Sequence, residues 1–211
     1  MQDIQTLVFQ YPNETKNRIL SVSLYLFAKN GIAAVSMREI AQAVGIKTAS
    51  VYYYYKSKQS VVEDIFICFT NEYKECLKQM GKAYSKSESV SSILDSIFNR
   101  NTPDVVCTFV CLGMSLAVRE QHNNEFANRC VKELFFTDSI EAIKKNLDIL
   151  VENETIPPSF TNLLAMHYMM WIITLNDIWL SEYFGNKSDI NVDLLLYDMR
   201  YKLSKLLELG V

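Results

Sequence analysis

Residues 36–58 read SMREIAQAVGIKTASVYYYYKSK, and the fold is decided there. Ser36 and Glu39 have the spacing of a capping box, in which the hydroxyl takes the Glu39 amide and the carboxylate reaches back. Ile40, Ala41 and Val44 then share one face of a short helix. Gly45 can end that helix in a left-handed cap, where a residue with a β-carbon would be strained. A second short helix is predicted from Lys47 or Thr48, with Thr48 able to cap it, and carries Ser50, Tyr52, Tyr53 and Tyr54. Helix, glycine turn, helix is the helix-turn-helix arrangement, whose second member lies in a DNA major groove.

Paired short helices are common, and tyrosine clusters usually sit half-buried with the hydroxyl in water. What separates this stretch from an ordinary helix pair is its donors. Lys47, Thr48, Ser50, Tyr53, Lys56 and Lys58 gather on or beside the second helix. Ammonium and hydroxyl groups on an exposed surface are what phosphate contacts need.

Charge is divided unevenly along the chain. Residues 13–60 hold seven basic side chains (Lys16, Arg18, Lys29, Arg38, Lys47, Lys56, Lys58) against Glu14 and Glu39, a net +5. The whole 211-residue chain carries −3, so the remainder carries −8. A basic end on an acidic body is attracted to phosphate locally while the body is repelled, which orients the molecule on DNA.

Upstream, a helix is expected from about Thr15 to Asn30, ending at Gly31, with Ile19, Val22, Ser23, Leu26 and Phe27 on its inner face. Three short helices make a small head that gains stability from whatever it packs against. Residues 1–12 read as a loose arm. From Lys58 to about Met80 runs a longer helix with Val61, Val62, Ile65, Phe66, Phe69 and Tyr73 on its apolar side. It is expected to start at the head and end in the body, a physical route for coupling two sites. Residues 81–92 read as a polar linker. Further helices are expected over 90–99, 103–121 and 124–154, the last with room for a break, then 159–184 after Pro157-Pro158, and 192–209. Six glycines and four prolines suit an all-α chain.

The other chemistry the sequence could carry is thin. Five cysteines, an odd number without a C-x-x-C, read as reduced apolar residues. His122 and His167 are isolated. No nucleophile–base order, paired-carboxylate motif or phosphate-cradling loop is present, so neither an enzyme nor a cofactor or metal site is expected. The chain shows no run of about 18 uncharged apolar residues and no signal-peptide order at its start, so a cytoplasmic protein without membrane contact is expected.

A family resemblance rests on Ile19-Leu20, Ser23, Leu24, Phe27-Ala28, Gly31, Ser36-Met37, Ile40-Ala41, Val44-Gly45-Ile46 and Val51 through Lys58. Over about 45 residues in register, this pattern resembles the head of the tetracycline-repressor (TetR) family of bacterial regulators. The resemblance implies an N-terminal DNA-binding domain over residues 1–57 and a helical ligand-binding and dimerisation domain over 58–211. It implies DNA contacts at Ser36 and Arg38, at Lys47, Thr48, Ser50, Tyr52, Tyr53 and Tyr54 of the second helix, and at Lys58. Two departures stand out. Lys47-Thr48-Ala49 replaces the family's frequent Ser-Lys-Gly/Ala, and Tyr54-Tyr55 replaces its common His-Phe, with Tyr55 expected to pack inward.

The function expected is that of a ligand-responsive transcriptional regulator, most naturally a repressor, binding palindromic double-stranded DNA as a homodimer. An effector pocket lined by Phe109, Met114, Phe135, Phe136, Met170 and Trp171 would suit a small lipophilic or aromatic molecule. The dimer interface is expected on the last two helices, at Leu163, Met166, Met170, Leu195, Leu196, Met199, Leu203 and Leu206. The competing expectation is a co-regulator that uses the same fold to bind a protein partner.

Overall fold

A computed structural model describes residues 13–84 and 105–152, together with eleven positions between 176 and 205. No strand occurs among the described residues. The helices are α1 (Glu14–Asn30), α2 (Met37–Val44), α3 (Thr48–Tyr54), α4 (Lys58–Tyr84), α5 (Val105–Glu120), α6 (Glu125–Arg129) and α7 (Ser139–Glu152). Between α6 and α7 the chain forms a π-helical stretch, Cys130–Asp138.

Local chemistry sets most of these boundaries. Asn13 caps α1 by accepting the Lys16 amide at 2.9 Å. Gly31, at φ 86°, closes α1 with its amide on the Phe27 carbonyl. The Ser36–Glu39 box is complete: the Glu39 amide donates to Ser36 Oγ, and the Ser36 amide donates to Glu39 Oε2 at 2.7 Å. Those bonds hold the Glu39 carboxyl below the usual carboxylate range, the Ser36 hydroxyl contributing most. At the far end of α2, Gly45 takes the left-handed conformation. Its amide reaches Gln42 O at 3.1 Å while the Ile46 amide reaches Ala41 O at 3.0 Å, the paired bonds of a Schellman cap.

Two expectations are corrected. Thr48 does not cap α3. It is the first helical residue, and Lys47 stands at the cap because its carbonyl receives the Ser50 and Val51 amides. The linker does not begin at residue 81, since α4 continues through Tyr84; one glycine costs a helix only about 1 kcal/mol against alanine, and Lys82 and Ala83 favour continuation. The break for which the run from 124 leaves room falls at the π-helical stretch, which has neither proline nor glycine to explain it. The helices expected over 90–99 and 159–175, and the linker from 85 onward, lie outside the described residues.

The chain forms two compact units, residues 1–74 with 102–134, and residues 75–101 with 135–211. The first holds the head. Its core joins Ile19, Leu20, Leu24 and Phe27 of α1 with Ile40 and Val44 of α2, Val51 of α3, Val61, Ile65, Phe66 and Phe69 of α4, and Leu112 and Leu116 of α5, all buried. α5 lies close to α4 at Gly113, where an added β-carbon would come 2.8 and 2.9 Å from Phe69 ring atoms besides one closer contact. Glycine is therefore a packing requirement there. In the second unit Phe135, Ser139, Asn176, Ile178 and Leu180 are buried.

Candidate nucleic-acid interface

The helix-turn-helix is held from beneath by Arg18, Val51 and Tyr55, of which Tyr55 packs inward as expected. Arg18 of α1 donates to the Val44 carbonyl at 2.7 Å, neutralising the electronegative end of α2. Val51 is wholly buried and anchors α3. Tyr55, just past α3, is also buried, and its hydroxyl donates to Asp64 Oδ2 of α4 at 2.7 Å. Asp64 in turn pairs with Lys16 of α1 at 2.9 Å, and the Lys16 ammonium lies 5.5 Å from the Tyr55 ring centroid. α1, α3 and α4 thus meet at one polar knot over an apolar core.

On top of this support, the expected contact residues divide. Ser36, Arg38, Lys47, Ser50, Tyr52 and Tyr53 are exposed, Tyr53 with 76% of its surface open. Thr48 and Tyr54 are half-buried, and the Tyr54 ring meets Tyr53 edge-on at 5.1 Å. The Ser36 hydroxyl also donates to Glu39 Oε2 at 2.7 Å, so the cap occupies it. Lys56 is drawn to the end of α3, where its ammonium reaches the Tyr52 carbonyl at 3.3 Å.

Lys58 is placed differently from the rest. Its ammonium donates to the carbonyls of Ile32 at 2.7 Å, Val35 at 3.0 Å and Ala33 at 3.4 Å. An ammonium has three N–H donors. All three are directed at the turn between α1 and α2, which gives this side chain a positioning role in the head. Its start of α4 is fixed by Ser57 and Ser60, which exchange amide-to-hydroxyl bonds of 3.1 and 3.3 Å.

The residues expected to face an effector fall in both units. Phe109 and Met114 are buried in the first and Phe135 in the second, whereas Phe136 is 55% exposed. Met170 and Trp171 lie outside the described residues, as do the expected interface positions Leu163, Met166, Leu195, Leu196, Met199, Leu203 and Leu206. Leu194, Tyr197 and Tyr201, which are among the described residues, are exposed. No group of three or more His, Cys, Asp or Glu able to hold a metal occurs among the described residues. Among them, too, no helix is long and apolar enough to cross a membrane.

The fold and the exposed second helix define a helix-turn-helix protein. Residues 19–65 match the family model for bacterial regulatory proteins of the tetR family. The chain is 35% identical over 57 residues, 27% of its length, to the transcriptional regulator AcrR of Shigella flexneri, of which the match covers 26%. It is likewise 35% identical over 57 residues to the transcriptional repressor KstR2 of Rhodococcus jostii, of which 28% is covered. The matched segments thus span about a quarter of these relatives' length. The fold agrees over nearly the whole chain with the regulator FadR of Bacillus subtilis, solved with stearoyl-CoA: TM-score 0.57, 15% identity, covering 92% of this chain and 98% of that one. Over residues 19–65 the chain is thus similar to the DNA-binding head of bacterial regulatory proteins of the tetR family.

Proposed function

We propose that this protein is a DNA-binding transcriptional repressor, acting in the cytoplasm as a homodimer on a palindromic operator and released by a small-molecule effector. The observation that carries the reading is the exposed face of α3. Lys47, Ser50, Tyr52 and Tyr53 face solvent, while Val51 and Tyr55 on its other side are buried in the head. A helix that exposes large aromatic rings and donors on a firmly anchored base suits a groove partner, with phosphate contacts fixing register and base edges giving sequence preference.

One such helix reads only a few base pairs, so two must lie about 34–36 Å apart on two half-sites. The exposed Leu194, Tyr197 and Tyr201 support a second chain's packing near the end of the chain. The effector is a small lipophilic or aromatic molecule held in the helical body. The stearoyl-CoA in FadR supports a lipophilic ligand class. Coupling of about 1–3 kcal/mol between the two sites changes operator affinity about 5–150-fold, enough to switch a gene. No covalent step is needed.

Gel shifts with duplexes flanking the protein's own gene, with and without candidate lipophilic effectors, test this reading. Retardation by the wild type, lost in the Arg38→Ala, Lys47→Ala, Tyr53→Ala triple variant, supports it. A variant that keeps its helical signal and still binds its duplex contradicts it. A protein-binding co-regulator would retard no fragment and would keep its partner in the triple variant.

A further inference from the structure

Two adjacent side chains at the end of α5 are bonded to the backbone of the head about ninety residues earlier. Arg119 Nη1 donates to the Ala28 carbonyl at 2.7 Å, in the last turn of α1. Glu120 Oε1 accepts the Ile32 amide at 3.0 Å, in the turn that follows. The carbonyl of that same Ile32 receives the Lys58 ammonium. The turn leading into the DNA-reading pair is therefore gripped on one side by α4 and on the other by α5.

The corner from which the grip is made is itself braced. The Glu120 carbonyl accepts both the Asn123 and Asn124 amides at 2.9 Å. Asn124 caps α6 through the Ala127 amide at 3.1 Å, and Asn128 Nδ2 donates to the Gln121 carbonyl at 2.9 Å. With its backbone so fixed, the end of α5 can impose a position on what it holds. The grip is also chemically asymmetric in the favourable sense, a guanidinium on the carbonyl end of α1 and a carboxylate on an amide beyond it. Neither residue lies within 36–58 or on the exposed face of α3.

We propose that Arg119 and Glu120 clamp the DNA-reading head to α5 and set its orientation, so that engaging two half-sites at once depends on them. This rests on the DNA-binding dimer proposed above. The clamp leaves the reading surface untouched and governs only where it points. A head released from it still binds one half-site but pairs poorly with the head of a second chain, because simultaneous engagement is lost when the geometry is wrong.

The test uses the full-length protein and a palindromic duplex selected by the wild type from a random-sequence pool. The control is the same duplex with one half-site scrambled, read at low salt. Arg119→Met and Glu120→Ala are expected to lose about 5–150-fold on the palindrome while changing little on the single half-site. Arg119→Lys and Glu120→Gln, which keep a donor and an acceptor, are expected to recover part of the loss. Equal losses on both duplexes, or no loss on either, overturn the proposal. If the first two variants fail to fold, amide exchange in the wild type decides: an Ile32 amide exchanging at the rate of an open turn overturns the clamp, and a strongly protected one supports it. A wild type that selects no duplex overturns the DNA-binding reading, a result distinct from failure of the clamp.

Discussion

The Tyr55 hydroxyl donates to Asp64 Oδ2 across 2.7 Å, tying the residue that follows the exposed helix to the second turn of α4. Because Asp64 also pairs with Lys16, the bond fixes α3 against two other helices at once. Tyr55→Phe keeps the buried ring and removes only the hydroxyl. It is expected to cost about 1–2 kcal/mol in denaturant unfolding, the range for a hydrogen bond to a charged acceptor with partial exposure. A larger loss would mean that the ring itself had been displaced.

The two glycines of the first unit that matter most differ in kind, and alanine separates them. At Gly45 nothing lies within 4 Å of an added β-carbon, so Gly45→Ala meets only left-handed backbone strain, about 1–2 kcal/mol. At Gly113 the backbone is unstrained but the Phe69 ring occupies the space. Gly113→Ala is expected to cost about 1–3 kcal/mol through overpacking. Combining it with Phe69→Leu, which makes room, should cost less than the two single changes together. Additive losses in thermal unfolding would show that the contact is not what excludes a side chain.

Ser23 is completely buried on α1, and its hydroxyl has no hydrogen-bond partner among the described residues. An unpaired buried hydroxyl carries its desolvation cost without return. Ser23→Ala is expected to stabilise the head by about 1 kcal/mol, measured by denaturant midpoint. A destabilised variant would show that the hydroxyl is bonded after all.

The Ser36–Glu39 box predicts a pH dependence whose sign follows from the lowered carboxyl. Its contribution is fully present above the ordinary glutamate value, about 4.3, and is lost as pH falls through the lower folded value. Glu39→Gln can form the same box without titrating. Thermal melts should therefore show the wild type losing ground relative to Glu39→Gln on acidification below about pH 4.3, with no change in their difference above it. A difference that stays constant into the acid range would contradict the assignment.

What the sequence made legible was local. The Ser36–Glu39 cap, the Gly45 stop, the inward Tyr55 and the inner face of α1 at Ile19, Val22, Ser23 and Phe27 all follow from spacings of a few residues and appear in the structure, Leu26 of that face being only half-buried. The bonds that position the head were not legible, because they join residues far apart in sequence. Lys58 to Ile32 spans 26 residues, Arg18 to Val44 spans 26 and Arg119 to Ala28 spans 91. A lysine beside a DNA-reading helix reads as a phosphate donor, and only the folded turn shows its ammonium on three carbonyls. The π stretch carries no residue signal at all. The π turn and Gly113 depend on how whole helices pack, which periodicity does not encode.

The central claim is that the exposed face of α3 and the start of α2 meet DNA phosphate and base edges. The most direct measurement is the affinity of the wild type for its selected palindrome as salt is raised, compared with Arg38→Ala and Lys47→Ala. The account predicts steep salt dependence in the wild type, with the slope of log affinity against log salt falling by about 1 for each lysine or arginine that contacts phosphate. Salt-independent binding, or an unchanged slope in both variants, would contradict it.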